Sequence, residues 1–154
     1  NVRNALDRSG LPPHSLQLEL TEGIFMEDID SAVERIQALK ALGIAVAVDD
    51  FGTGYSSLAH LKRFPIDVLK IDRYFVSDLP TSAVNQVLIR SILALCEGLD
   101  LDAVAEGVDN RHQLEHLRRL GCHIAQGFLF SRPVPAEQLS LLLDRNWTEE
   151  FSLA

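Results

Sequence analysis

Short runs rich in leucine and β-branched residues alternate, along the whole chain, with longer stretches whose apolar positions recur at helical spacing. Residues 16–20, 44–48, 68–71, 102–105 and 124–130 form the five strand candidates. The run at 44–48 is apolar throughout, as expected of a parallel strand covered on both faces. The intervening segments read as helices. Residues 2–9 end at Gly10, and Pro12 and Pro13 prevent resumption. Ser31 and Glu34 have capping-box spacing, Ala32, Ile36 and Leu39 share a face, and Gly43 ends that helix. Residues 55–61 allow one or two helical turns, with Pro65 marking the break before the third strand. Val84, Val87, Leu88, Ile92 and Leu95 line one side of the longest helix, which Gly98 terminates. Asn110 and Gln113 cap the next one, with Leu114, Leu117 and Leu120 inside and Gly121 closing it. Pro135 opens a last helix with Leu139, Leu142 and Leu143, after which Trp147 and Phe151 pack across an end of the core.

Strands that alternate with helical crossovers build a parallel sheet. The fold class expected is therefore α/β, a partial TIM-type (β/α) barrel with about five C-terminal parallel strands of a nominal eight, because a complete barrel takes roughly 250 residues. A chain that opens inside a helix is expected to belong to something longer.

The ionisable residues sharpen this picture. Glu19 lies near the end of the first strand, Asp49 and Asp50 at the end of the second, Lys70 near the end of the third, Glu106 at the end of the fourth and Gln126 within the fifth. Strand side chains alternate between faces, so Ala45, Ala47 and Asp49 point one way, as do Val68 with Lys70 and Val104 with Glu106. In parallel α/β folds that strand end gathers ligands and catalytic groups. A lone carboxylate after a strand is more often a helix cap, but four carboxylates and a lysine on one rim are not. All-oxygen ligation by Glu19, Asp49, Asp50 and Glu106 suits Mg²⁺ or Mn²⁺. The lysine can steer a water or neutralise a phosphoryl oxygen. A receiver domain would need its acidic pair after the first strand, so the order here is wrong for one. Gly52-Thr53-Gly54 lacks the spacing of a dinucleotide fingerprint. His112 and His116 lack the intervening glutamate of a metalloprotease helix and read as surface residues. Tyr74 and Phe75 fall in an expected loop after Asp72 and Arg73.

Composition narrows the partners. A formal net charge of -8 excludes a broad phosphate-contacting surface for long nucleic acid, while a small anionic substrate stays open because bound cations can invert the sign of an acidic pocket. Cys96 and Cys122 read as buried free thiols. No run has the length of a membrane span and no secretory signal opens the chain, so a cytoplasmic setting is expected, with any membrane tether in domains outside this segment.

Leu18-Glu19-Leu20-Thr21-Glu22, residues 49–57, Leu69-Lys70-Ile71-Asp72, Ala105-Glu106-Gly107-Val108 and Gln126-Gly127-Phe128 continuing to Ser131-Arg132-Pro133 together resemble the EAL-domain phosphodiesterases that hydrolyse cyclic di-GMP. The resemblance runs over residues 1–145, leaving 146–154 as a tail. It implies that Glu19, Asp49 and Asp50 are metal ligands, Asp49 serving both metals. Glu106 becomes a second-site ligand or water-mediated partner, and Lys70 the residue that orients or deprotonates the attacking water. Gln126 organises the water and metal network, and Glu22 anchors the loop after Asp50 through Ser56. Family members open cyclic di-GMP to linear pGpG with Mg²⁺ or Mn²⁺, and calcium usually inhibits. The name-giving Glu-Ala-Leu segment and the asparagine strand after it do not occur in these residues, and Asp109 stands where a glutamate is common. The expectation is a parent domain that is an active phosphodiesterase, and an isolated segment that is inactive or nearly so, its open edge covered by a second copy in a homodimer or by the missing N-terminal barrel segment. The alternative is a non-catalytic cyclic di-GMP-binding or protein-interaction module.

Overall fold

The computed structural model describes residues 2–21, 23, 29–52, 61–147 and 151. Five parallel strands lie side by side in chain order: β1 (Gln17–Thr21), β2 (Ala45–Phe51), β3 (Val68–Ile71), β4 (Asp102–Ala105) and β5 (Ile124–Ala125). Sequential parallel order with helical crossovers is the arrangement of consecutive units of a (β/α) barrel, and the expected fold class holds. The helices are α1 (Val2–Ser9), α2 (Ile29–Lys40), α3 (Arg73–Ser77), α4 (Ala83–Leu99), α5 (Arg111–Leu120) and α6 (Ala136–Leu143).

The core lies where the helices cover the sheet. Val46, Val48, Leu69, Ile71 and Ala105 from the strands meet Ile36, Ile89, Cys96, Leu114 and Leu117 from α2, α4 and α5. All four residues of β3 are buried, as a central strand covered on both faces requires. Where β3 begins, Asp67 ties the sheet to α2: its carboxylate accepts from the Val46 amide at 2.8 Å and pairs with Lys40. Trp147, Phe151 and Phe130 form an aromatic cluster, and Arg118 of α5 donates to the Phe151 carbonyl.

Several local expectations are corrected. Strand β5 stops at Ala125 rather than running to residue 130, because the chain turns at Gly127, whose carbonyl accepts from the Phe130 amide at 3.2 Å. Helix α4 buries a face carrying Ile89 and Cys96, flanked by Ile92 and Leu93, whereas Val84, Val87 and Leu88 are exposed. Both stripes have helical spacing, and only tertiary contact selects between them. Nor does Gly98 end α4. The helix continues to Leu99, and Asp100 takes the left-handed position with φ 56°. Helix α2 has already begun at Ile29, so Ser31 lies within it rather than capping it. Tyr74 and Phe75, expected in a loop, lie in α3, with the Asp72 carboxylate accepting from the Tyr74 amide at 2.8 Å. The helical turns expected at 55–61 fall almost wholly outside the described residues. Cys96 and Cys122 are buried free thiols as expected, and burial pushes the Cys96 thiol up to about 11.

One close approach dictates the path after β5. A Cβ at Gly127 would lie 2.2 Å from the Val108 carbonyl oxygen and 2.3 Å from its nitrogen, so the two backbones pass in contact. A Cβ at Gly98 meets nothing within 4 Å. Gly127→Ala should lower stability by about 3 kcal/mol, since backbone cannot rotate aside, while Gly98→Ala in the helix should raise it by about 0.5–1 kcal/mol. Urea denaturation of the two variants checks the pair, and equal midpoints would contradict the packing.

Candidate active site

Lys70 occupies the middle of the most buried strand and is only 4% exposed. An ammonium taken out of water is costly unless hydrogen-bonded and paired. Its Nζ lies 2.7 Å from Glu19 Oε2, 2.7 Å from Glu106 Oε1 and 3.2 Å from Asp49 Oδ1. Three N–H donors thus meet three carboxylates. The strand register assembles them: Glu19 pairs with Ala47, Thr21 with Asp49, and Lys70 with Val104 two residues before Glu106. Burial by itself favours the neutral amine, but the bonds from Glu106, Glu19 and Asp49 and the Glu106 charge outweigh it, so Lys70 holds its proton well above the ordinary lysine range. Burial raises the Glu106 carboxyl; bonding to Lys70 opposes the rise, and the Asp49 charge adds to it.

Regular alternation would send Asp49 and Asp50 to opposite faces of the sheet. The β2–β3 ladder breaks there. Val48 pairs with Leu69 and Phe51 with Ile71, so Asp49 and Asp50 together oppose the single residue Lys70. This is a β-bulge, and Asp50 enters the left-handed region at φ 57° to make it. Asp49, Asp50 and Glu106 consequently each offer a carboxylate oxygen, all within 4.8 Å of one another. Burial, the Asp49 charge and the Asp72 charge all raise the Asp50 carboxyl, with Lys70 opposing. Three crowded carboxylates that offer only oxygen donors fit a hard divalent cation such as Mg²⁺ or Mn²⁺.

Of the residues singled out in the sequence, Glu19, Asp49 and Glu106 each meet Lys70 directly, and Asp50 joins Asp49 and Glu106 through the bulge. Glu19 reaches the others through Lys70 and does not belong to the close carboxylate trio. Gln126 follows β5 with an exposed side chain; its amide donates to the Ala105 carbonyl at 2.8 Å and its carbonyl accepts from Val108 at 3.0 Å. Glu22 and Ser56 lie outside the described residues. Helix α3 supports the site in a way local sequence pattern does not reveal. Its Phe75 ring packs on Gly52, where a Cβ would be 2.9 Å away, and its Arg73 fills the space a Cβ on Gly107 would need. An aspartate directly before an apolar-rich segment is the available signal for the helix itself. His116 Nδ1 bonds the His112 carbonyl, as surface residues of one helix do. A separate cavity lined by Cys96, Cys122 and Asp102 sits where β4 and β5 begin, the end opposite the carboxylates.

A family model described as "EAL domain" matches residues 1–133. The chain is 45% identical over 142 residues to the cyclic di-GMP phosphodiesterase NbdA of Pseudomonas aeruginosa, covering 92% of this chain and 18% of that protein. It is similar to the solved structure of PaMucR phosphodiesterase in complex with c-di-GMP, with a TM-score of 0.85 and 49% identity over 90% of this chain and 56% of that one. The manganese and cyclic di-GMP complex of Klebsiella pneumoniae BlrP1 matches with a TM-score of 0.81 and 37% identity, over 86% of this chain and 34% of that one. The chain spans about a fifth of the length of the curated relatives it matches. Among the described residues no helix is long and apolar enough to cross a membrane.

Lys70→Met should destabilise the metal-free protein by about 2–3 kcal/mol, at the lower end for a broken buried pair because Glu19 is 44% exposed. The penalty is present at neutral pH, where the three carboxylates repel one another without their cation. It should shrink as pH falls through the carboxylate range, starting early because the Glu106 carboxyl is raised. Denaturant titrations at pH 7 and pH 4 read this out, and a penalty that grows on acidification would refute it.

Proposed function

Because the chain belongs to the EAL domain family, we propose that it carries the acidic metal-binding part of a phosphodiesterase site that hydrolyses cyclic di-GMP to linear pGpG in the complete domain. The observation that carries this reading is the convergence of Asp49, Asp50 and Glu106 around the buried Lys70 at one end of the sheet. Residues 1–145 make the C-terminal portion of that domain and 146–154 its tail.

In this reading Glu19, Asp49, Asp50 and Glu106 are the residues that would hold Mg²⁺ or Mn²⁺. Bound there, the ions supply Lewis acidity and the activation of water. Lys70 turns one of its N–H donors toward the attacking water or a phosphoryl oxygen. Gln126 orders the water network, and Glu22 anchors the loop after Asp50 through Ser56. Water adds across one P–O3′ bond: its oxygen bonds to phosphorus, and the 3′ oxygen leaves with a proton. The protein's share is positioning and electrostatic preorganisation.

The partners are cyclic di-GMP and either a second copy of the chain or the N-terminal barrel segment. Support comes from the exposed Val84, Val87 and Leu88 on α4 and from the outer edges of β1 and β5, each paired on one side only among the described residues. The setting is cytoplasmic. Since the 154 residues contain no Glu-Ala-Leu segment, the isolated piece has little or no activity.

Chromatographic assay of the full-length protein should show cyclic di-GMP converted to pGpG with Mg²⁺ or Mn²⁺ and not after chelation. Asp49→Asn and Glu106→Gln should each lower kcat at least about 100-fold, as loss of a metal-positioning group does. Turnover untouched by chelation or by both substitutions would overturn the reading. Residues 1–154 alone turning over as fast as the full-length protein would overturn the statement about the isolated piece.

A further inference from the structure

Gln113 is 4% exposed and, with Lys70, is one of two buried polar or charged side chains among the described residues. As the third residue of α5 it completes a capping box with Asn110: its amide donates to Asn110 Oδ1 at 3.0 Å, and its Oε1 accepts from the Asn110 amide at 3.1 Å. Helix capping needs no more than that. Yet Oε1 also accepts from the Asp109 amide at 2.8 Å, and Nε2 donates to the carbonyl of Ser77 at 3.2 Å, 36 residues away at the end of α3.

Each of those contacts leads to the carboxylates. The Ser77 carbonyl fixes the C-terminal end of α3, whose other end sets Asp72 beside Asp50, seats Phe75 under Gly52 and packs Arg73 on Gly107, next to Glu106. Asp109, held by its amide, accepts from the Phe128 amide through Oδ1 at 3.3 Å, two residues past Gln126. Val108 bonds Gln126 and Leu129 through its backbone. One buried amide therefore ties together the segments that follow β3, β4 and β5, and through α3 the exit of β2.

We propose that Gln113 is a positioning residue for the metal-binding carboxylates, acting through α3 and the segment 106–110 to hold Asp50 and Glu106 in register. This rests on the metal reading above. A glutamate serves a capping box as well as a glutamine does, since its carboxylate accepts from the same amides, but it cannot donate to Ser77 while ionised. Gln113→Glu thus keeps the cap and removes the bridge. Gln113→Met removes the bridge and the Oε1 half of the box at similar volume without adding charge, and Asn110→Ala removes only the Oδ1 half of the box and keeps the bridge.

Calorimetric titration of Mn²⁺ into the full-length wild type and the three variants tests this, with thermal unfolding of each and turnover of cyclic di-GMP in parallel. The expected result is an Mn²⁺ affinity about tenfold weaker in Gln113→Glu, at the lower end for outer partners of metal ligands, with the half-activating Mn²⁺ concentration rising in step. Asn110→Ala should melt earlier but bind Mn²⁺ as the wild type does. If Gln113→Glu does not fold, Gln113→Met takes its place with the same expected shift. Wild-type Mn²⁺ affinity in the Gln113 variants, or an equal loss in Asn110→Ala, would overturn the positioning role and leave the metal reading standing. Absence of Mn²⁺ binding by the wild type would sink the metal reading and the positioning role with it.

Discussion

A lysine ammonium in the middle of a fully buried strand needs partners for all three of its N–H groups, and Glu19, Asp49 and Glu106 supply them from three different parts of the sheet. Asp49 and Glu106 sit close together with that ammonium bonded to both, and Glu19 joins them through it. The cation in turn could not sit in β3 without them. The parallel order of β1 to β4 is what brings the four groups to one height, so the register of the sheet and the electrostatics of its end are a single constraint. Helices α2, α4 and α5 supply the apolar burial on the outer side that lets that register persist.

The bulge in β2 adds what a regular strand could not. By placing two residues opposite one, it turns the second of two adjacent aspartates toward its neighbour. The sheet forgoes regular pairing at that point, and Asp50 adopts a left-handed backbone that a short polar side chain tolerates better than most. The result is a set of carboxylates too closely spaced to be comfortable when ionised in the absence of a cation.

Much of this was legible beforehand. Strands β3 and β4 and the end of α5 follow from local pattern alone, because apolar runs, Asn110 with Gln113, and Gly121 carry strong short-range signals. The gathering of Glu19, Asp49, Lys70 and Glu106 was legible because parity along a strand decides which face a residue shares. What stayed hidden was tertiary. Val84, Val87 and Leu88 have the same periodicity as the stripe around Ile89 and Cys96, and only the neighbours of α4 decide which is inside. The bulge leaves no mark in an apolar pattern. Asp72 and Gln113 looked like ordinary loop and capping residues because the Ser77 carbonyl and the Asp50 carboxylate lie far away in sequence.

The thiols of Cys96 and Cys122 have a use unrelated to the chemistry at the other end of the strands. Cys96 lies on the buried face of α4 and Cys122 just after α5, and burial raises both thiols, so a thiol reagent in neutral solution finds almost no thiolate to attack while the sheet and its helices stay together. Labelling must wait for the structure to open there. Its rate under excess reagent is therefore a clock for separation of the helical layer from the sheet, timed by residues that make no contact with the carboxylates. The molecule carries its own stopwatch for opening, and it needs neither an added dye nor an engineered probe.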